Sequence, residues 1–353
     1  MRIITVPVIP CQTERIPSLQ IIPLKVHLIF SLMIEFDKGI HLRGTSLWFD
    51  SEKKAKFSFI SNANIGRFVP SEKVIATPET IRLIEKRIRK SVALACPYNR
   101  PFTIGSVQAE LIPSGYMPGS AQIEIQKAGS TIIYTGDINL RQSLISEPAR
   151  VKRCPMLIMK CTYGSPKYEF PPSEEVIDSL SEFIESSLSS GSVPVLLAEV
   201  YGLAGELVKR LGDAGYRLGV HRSIFGVIKI YEEFGIGFHG CELLKPKKTE
   251  GRVLVFPLLK GLKGTEDIRD KKVGAVIESA PDEKSYIKTL YGADEVFPLS
   301  NRAGFRDLIK FVESVAPEKV FLTGAHSSGF AHALQKKGFE AVPLEKPTQL
   351  RLF

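Results

Sequence analysis

Polar residues recur at the ends of short apolar runs, where a fold can gather them for chemistry. Asp50 follows SLWF, Asn62 and Asn64 follow FSFIS, Tyr116 lies in SGYMPGSAQ, Asp137 ends IIYTGD and Lys160 ends LIMK; Arg302 lies in PLSNRAGF and Gly324 in VFLTGAH. A site collected from many strand ends is how β-rich metallohydrolases build a metal centre. Asn62 and Asn64 stand at i and i+2, so they point the same way, with Gly66 and Arg67 just behind them. The residue types are at odds with that spacing. Asparagine is a neutral oxygen donor that helps at hard-ion sites. Arginine and lysine offer no lone pair at neutral pH.

The elements that must carry these residues change in texture along the chain. Short strands are predicted at 34–36, 46–49 and 57–61. Thr77-Pro78-Glu79 supplies an N-cap, an N1 proline and an early acid for a helix running to about Lys90. Strands follow at 107–112, 121–127, 131–135 and 156–159. From Ser173 the pattern becomes an acidic helix and then alternating strands and helices through 193–277, which predicts an α/β layer on a mainly parallel sheet. Beyond Val296 it shortens to strand, helix 305–315, strand 320–323, helix 328–337 and strand 339–342. The domains expected are 33–170 with 293–353, interrupted by 171–292. Residues 1–32, with prolines at 7, 10, 17 and 23, are expected to be a non-native or disordered extension before a start at Met33.

Composition narrows the class. The chain has 353 residues, a net charge of +9 and ordinary apolar and charged fractions, which fits a globular protein with a bias toward an acidic partner such as nucleic acid. The five cysteines form no CxxC pair and read as reduced thiols of a cytoplasmic protein. The run IIPLKVHLIFSL is too short and too broken to span a membrane.

Five collinear segments carry a resemblance: GIHLRGTSLWFD, SGYMPGSAQIEI with IIYTGDINLR, CTYGSPKYEFPP, GYRLGVHRSIFGVIKIYEEFG and FEAVPLEKPTQLRLF. From Met33 to Phe353 the chain resembles the metallo-β-lactamase-fold nucleic-acid hydrolases with a β-CASP insertion. Within them it is most similar to the compact prokaryotic mRNA 3′-end processing factors and ligase-associated exonucleases. The resemblance implies an α/β architecture: a metallo-β-lactamase αββα sandwich with an inserted β-CASP α/β domain.

Active members hold two zinc ions with a His-x-His-x-Asp-His loop and further His and Asp residues. In this chain the loop positions are Asn62, Asn64, Gly66 and Arg67, and the third-motif histidine is Tyr116. Lys160 stands at an acidic position, and Arg302 and Gly324 stand at two further histidine positions. Only the family acids Asp50 and Asp137 are retained. None of the six histidines occupies a ligand position, although His326 is two residues from Gly324. Zinc is therefore expected to be absent, and no catalytic residue is expected.

Arg67, Lys160 and Arg302 set three positive charges against the two retained acids. That surplus suits a phosphodiester, with Ser328 at a helix start as a further phosphate candidate. The same residues also read as salt-bridged remnants that hold no ligand. The basic runs Lys86–Lys90 and 245–248 are candidate nucleic-acid contacts beside their reading as solvated faces. His221-Arg222 reads as a packing feature, and Glu199 and Tyr201 as cleft-lining residues.

The leading expectation is a catalytically inactive homologue acting in RNA processing or DNA repair. It would bind RNA or single-stranded DNA, an active nuclease paralogue, a helicase or a ligase, and no membrane. The alternatives are an active nuclease using Mg²⁺ or Mn²⁺ on Asp50 and Asp137, and a pure protein-interaction scaffold.

Overall fold

The computed structural model describes residues 33–344, apart from Phe68, 246–248, 261–263 and 267. The extension 1–32, most of the basic run 245–248 and the end of the closing segment lie outside the described residues.

Three sheets organise the chain. The first runs in sequence order through β1 (Ile34–Phe36), β2 (Ile40–Leu42), β3 (Leu47–Phe49), β4 (Phe57–Phe59), β5 (Lys73–Ala76) and β6 (Val92–Ala95). The strands from β3 to β6 are parallel. The second has β7 (Phe102–Ile104), β8 (Val107–Pro113), β9 (Ala121–Lys127), β10 (Ser130–Tyr134) and β11 (Met156–Lys160), followed by β18 (Lys319–Thr323) and β19 (Ala341–Pro343). Between β11 and β18 the chain builds the third sheet, in the order β14 (Cys241–Leu243), β13 (Leu218–Val220), β15 (Val253–Pro257), β12 (Val193–Ala198), β16 (Lys271–Val276) and β17 (Glu295–Phe297). All its pairings are parallel.

Alternation along the strands explains the layering. Leu47, Phe49, Phe59 and Ile75 of the first sheet meet Leu111, Ile123, Ile125, Ile132 and Ile158 of the second in one core. The opposite face of the first sheet packs under α1 (Pro78–Ile84), with Ile60, Val74 and Ala76 against Ile84. The opposite face of the second buries Leu157, Met159 and Leu322 under α6 (Phe305–Val315) and α7 (Ser327–Lys336). The result is an αββα sandwich. The strands of the third sheet are apolar on both faces, as a doubly covered parallel sheet requires. One face carries α2 (Ser173–Ser189), α3 (Leu203–Asp213) and α4 (Arg222–Glu233), and the other carries α5 (Lys284–Tyr291).

The structure differs from the sequence reading in several details, among them the short strands β2, β5, β7 and β14, which were not anticipated. Because β17 pairs with β16, the parallel sheet runs past 292 to Phe297. The helix opened by Thr77, whose Oγ1 accepts from Thr80 N at 3.2 Å, ends at Ile84 rather than near Lys90. Tight turns follow, with Arg87 N donating to Ile84 O and Ser91 N to Ile88 O, and they deliver the chain to the unanticipated strand β6. No helix among the described residues is long and apolar enough to cross a membrane.

Candidate functional site: a cluster of charges at the strand ends

The carboxyl ends of parallel strands from all three sheets face one cleft. Asp50 leaves β3 in the left-handed region (φ 43°), a conformation that aspartate tolerates. Its carboxylate accepts from Ser61 N at 2.8 Å, Ser61 Oγ at 2.6 Å and Tyr134 OH at 2.7 Å. Gly136 makes this arrangement possible, because a Cβ there would lie 2.5 Å from Ser61 Cβ. Burial pushes the Asp50 carboxyl up, and the Lys160 charge and these hydrogen bonds only partly oppose that.

Asn62 and Asn64 keep close company without making a donor pair. Asn62 Oδ1 turns back to accept from Asn64 N at 2.9 Å, a local asparagine turn. Its Nδ2 donates to Ser61 Oγ at 3.1 Å and lies 3.5 Å from Asp137 Oδ2. Asn64 Nδ2 donates to Tyr116 OH at 2.6 Å. The Arg87 guanidinium holds the loop from beneath by donating to the carbonyls of Ala63, Ile65 and Gly66. Arg67 is exposed at the mouth of a cavity of about 220 Å³, which Asp50, Tyr134, Lys160 and Thr323 also line.

The other two cations turn inward. Lys160 Nζ sits 2.6 Å from Asp137 Oδ2, while Thr162 Oγ1 donates to Asp137 Oδ1 at 2.6 Å. Burial works to raise the Asp137 carboxyl, but Lys160 and Arg302 outweigh it and hold the group at about 2. The Arg302 guanidinium stacks on the Tyr116 ring, 4.2 Å from its centroid, and donates to Tyr116 OH. It also donates to Glu278 Oε2 and, at 3.1 Å, to Glu199 Oε2. Tyr116 OH donates onward to Glu199 Oε2 at 3.1 Å. Glu278 is buried and accepts further from Tyr163 OH at 2.9 Å and Ser300 Oγ at 2.9 Å. Burial raises the Glu278 carboxyl despite Arg302. Burial also opposes the charge on Arg302, but its acidic neighbours keep it firmly protonated.

The sequence reading missed Glu278 altogether and placed Glu199 only on the cleft wall. Both matter to the charge count. Asp50, Asp137, Glu199 and Glu278 surround Lys160 and Arg302, so the surplus positive charge expected from Arg67, Lys160 and Arg302 is not present. Arg302, with 12% of its side chain exposed, is not presented to a phosphate. Gly324 follows β18 and lies against the Cys161 backbone. Ser328 and His326 are not brought to the cluster; they line a separate cavity of about 360 Å³ with His332 and Lys336. His221 caps α4 through Ser223 N at 3.2 Å, and its ring lies 5.6 Å from that of Phe256. His239 pairs with Asp213 at 2.8 Å in an exposed position.

The donor set does not fit a zinc pair. Among the described residues no group of three or more His, Cys, Asp or Glu side chains is disposed to hold a metal ion. The retained acids are already engaged: Asp137 binds an ammonium directly, and both oxygens of Asp50 accept internal donors.

No protein-family model matches the chain. It is 28% identical over 333 residues to "Probable DNA ligase" of Opitutus terrae, covering 90% of this chain and 32% of that protein. It is 25% identical over 159 residues to RNase aCSPSF2 of Saccharolobus solfataricus, covering 43% and 32% respectively. To the DNA cross-link repair protein SNM1 of Arabidopsis thaliana it is 23% identical over 253 residues, covering 63% and 49%. The chain therefore spans a third to a half of the length of these relatives. Their names converge on the cutting and repair of nucleic acid, and the sandwich interrupted by a parallel-sheet insertion is the architecture that the motifs implied. The homologues of this chain are the β-CASP metallo-β-lactamase family, proteins named for the processing of nucleic acid.

Proposed function

We propose that this protein is a non-hydrolytic member of its family that binds nucleic acid, RNA or single-stranded DNA, in the cytoplasm. The observation that carries the reading is the Lys160–Asp137 contact of 2.6 Å, with Arg302 closing the other side of the same carboxylate at 3.9 Å. Protein cations take the electrostatic place that metal ions fill in active relatives, and they generate no hydroxide nucleophile. The opposing reading, a Mg²⁺ or Mn²⁺ nuclease on Asp50 and Asp137, must displace Lys160 and free Asp50 from Ser61 and Tyr134.

Metal analysis of the purified protein, combined with nuclease assays on RNA and single-stranded DNA in Mg²⁺ and Mn²⁺, tests this. The expected result is substoichiometric metal and no cleavage. Stoichiometric, tightly held metal with cleavage that disappears in Asp137→Ala would establish the enzyme instead.

A ligase is the partner favoured by one comparison. In the Opitutus protein named as a ligase, a region similar to 90% of this chain shares one polypeptide with the remaining two thirds of that protein. Co-purification of this protein with a DNA ligase would support a scaffold role, and a purified ligase that does not bind it would remove the ligase as partner.

A further inference from the structure

The charge of this molecule is concentrated. Residues 51–100 contain eleven Lys and Arg against four Asp and Glu, a surplus of seven, whereas the whole chain has a surplus of nine. Within that stretch Arg82 is engaged by Glu85 and Glu233, and Arg87 holds the 63–66 loop. The remaining cations include Lys54, Lys56, Lys73, Arg89 and Lys90, from three separate segments.

The first sheet brings these five to one end. Lys54 and Lys56 lead into β4, Lys73 opens β5, and Arg89 and Lys90 lead into β6. Glu72 N donates to Ala55 O at 2.9 Å, Lys73 N to Lys56 O at 3.0 Å and Val92 N to Glu72 O at 2.8 Å. Ser91 Oγ donates to Ser71 O at 2.6 Å. These bonds tie the three segments side by side, at the amino ends of the strands whose carboxyl ends face the charge cluster. Neighbouring strands lie about 4.8 Å apart, so the cations cross the strand ends in a row roughly two spacings wide.

Lys54, Lys56, Arg89 and Lys90 are exposed, and Lys73 rests its ammonium 5.1 Å from the Phe57 ring centroid. None of the five is in an ion pair among the described residues. Glu72 is the acid interposed between them. Lysines elsewhere on the surface commonly have acids, as in Lys167–Glu283, Lys229–Glu232, Lys288–Glu295 and Lys337–Glu313.

We infer that this sheet end is a docking surface for the sugar–phosphate backbone of a single-stranded nucleic acid, separate from the cleft. A row of unpaired cations one strand apart fits a linear polyanion. The segment offers no amphipathic face for insertion into a membrane: α1 has seven residues, and Ile84 is buried. The inference rests on the proposed nucleic-acid binding but moves the contact away from the cleft, where four acids surround two cations.

Fluorescence anisotropy of labelled oligo-U RNA and oligo-dT DNA, titrated across a NaCl series, tests it. The variant K54Q/K56Q/R89Q/K90Q should bind at least tenfold more weakly at low salt. Its plot of log affinity against log salt should be shallower by roughly 3, at about 0.7 per backbone contact. Should that variant misfold, the single variants K56Q and K90Q should each lower the slope by about 0.7. The cleft variant R67Q should retain affinity within twofold. Loss in the cleft variant with no loss in the sheet-end variants overturns the inference and leaves nucleic-acid binding standing. Wild-type protein that binds neither oligonucleotide removes both readings. Binding only to phosphatidylserine vesicles, or only to an acidic protein, assigns the surface to another partner and overturns the inference.

Discussion

Acids and cations gather at both ends of the first sheet, but in opposite arrangements. At the carboxyl ends of β3 and β4, joined there by strands of the other two sheets, Lys160 and Arg302 are enclosed by Asp137, Glu199 and Glu278. At the amino ends of β4, β5 and β6, four exposed cations and the half-buried Lys73 stand without an ion-pair partner among the described residues, with Glu72 between them. A buried charge must be matched, because desolvation of an unmatched one costs several kcal/mol. An exposed charge is solvated and screened, so its partners are decided by what arrives from solution. The enclosed cations therefore hold the molecule together, and the exposed ones are free to act on something else. If that contrast holds, substitutions at the two ends must separate stability from binding.

The largest stability effect is expected at Arg302. Arg302→Met leaves Glu278, whose side chain is 5% exposed, without its buried partner, and also releases Tyr116 and Glu199. The expected loss is about 3–5 kcal/mol in urea unfolding at neutral pH. Arg302→Met combined with Glu278→Gln should recover much of it, since the neutral amide removes the unmatched charge while its oxygen can still accept from Tyr163 or Ser300. A double variant as unstable as the single one would show that Arg302 acts through packing on Tyr116 rather than through charge. Because Glu278 and Glu199 leave the third sheet while Tyr116 and Arg302 belong to the segments flanking it, the loss should also loosen that sheet against the sandwich. Greater protease sensitivity of the 171–299 region would report this.

Much of this arrangement could be read in advance, and the parts that could not share a cause. Strand-end position identified Asp50, Asn62, Asn64, Tyr116, Asp137, Lys160 and Arg302, because polar residues directly after apolar runs have nowhere to go but a cleft. The same signal was present at Glu278, straight after VGAVI, and at Glu199 after VLLA. Neither was weighed as a partner for Arg302, because contacts over 24 and 103 residues leave no local trace. Direction was the other gap. A sequence shows that Lys160 and Arg302 are cations but not that they point inward. Strands β5 and β6 were passed over because Lys73–Ala76 and Val92–Ala95 are four residues each and lack clear alternation. Without them the scattered lysines of 54–90 had no common edge. The parallel insertion was legible because its strand and helix periods alternate over longer segments, whereas the sandwich followed from the family resemblance that the motifs carry.

An intermediate effect is expected at Lys160. Asp137 falls from an ordinary 3.8 to about 2 in the folded protein. A depressed carboxylate stabilises the fold above its unfolded value, and the contribution disappears as pH falls through the folded one. It amounts to about 2 kcal/mol, present at neutral pH and lost between roughly pH 4 and pH 2. Lys160→Met should remove most of it at pH 7, and the variant should show a flatter acid limb than wild type in urea midpoints measured across that window. Asp50 and Glu278 have the opposite sign: burial raises them, so their contribution favours folding at low pH and fades as pH rises through their folded values. An acid limb identical in wild type and Lys160→Met would mean that Asp137 does not depend on the ammonium, and the enclosed half of the contrast would fail.

The smallest stability change should come from the greatest number of altered charges. K54Q/K56Q/R89Q/K90Q removes four cations that have no acid partner among the described residues, so no buried group is left unmatched. The urea stability should stay within about 0.5 kcal/mol of wild type, as expected for surface positions away from any special feature. Its sign should favour the variant at low salt, because like charges on adjacent strand ends repel, and the difference should shrink as salt is added. A loss comparable to that of Lys160→Met would place these lysines in the architecture and remove the freedom that makes them available to a polyanion. Stability unchanged together with weakened oligonucleotide binding would mean that the same chemical groups serve cohesion in the cleft beyond the first sheet's carboxyl ends and recognition at its amino ends.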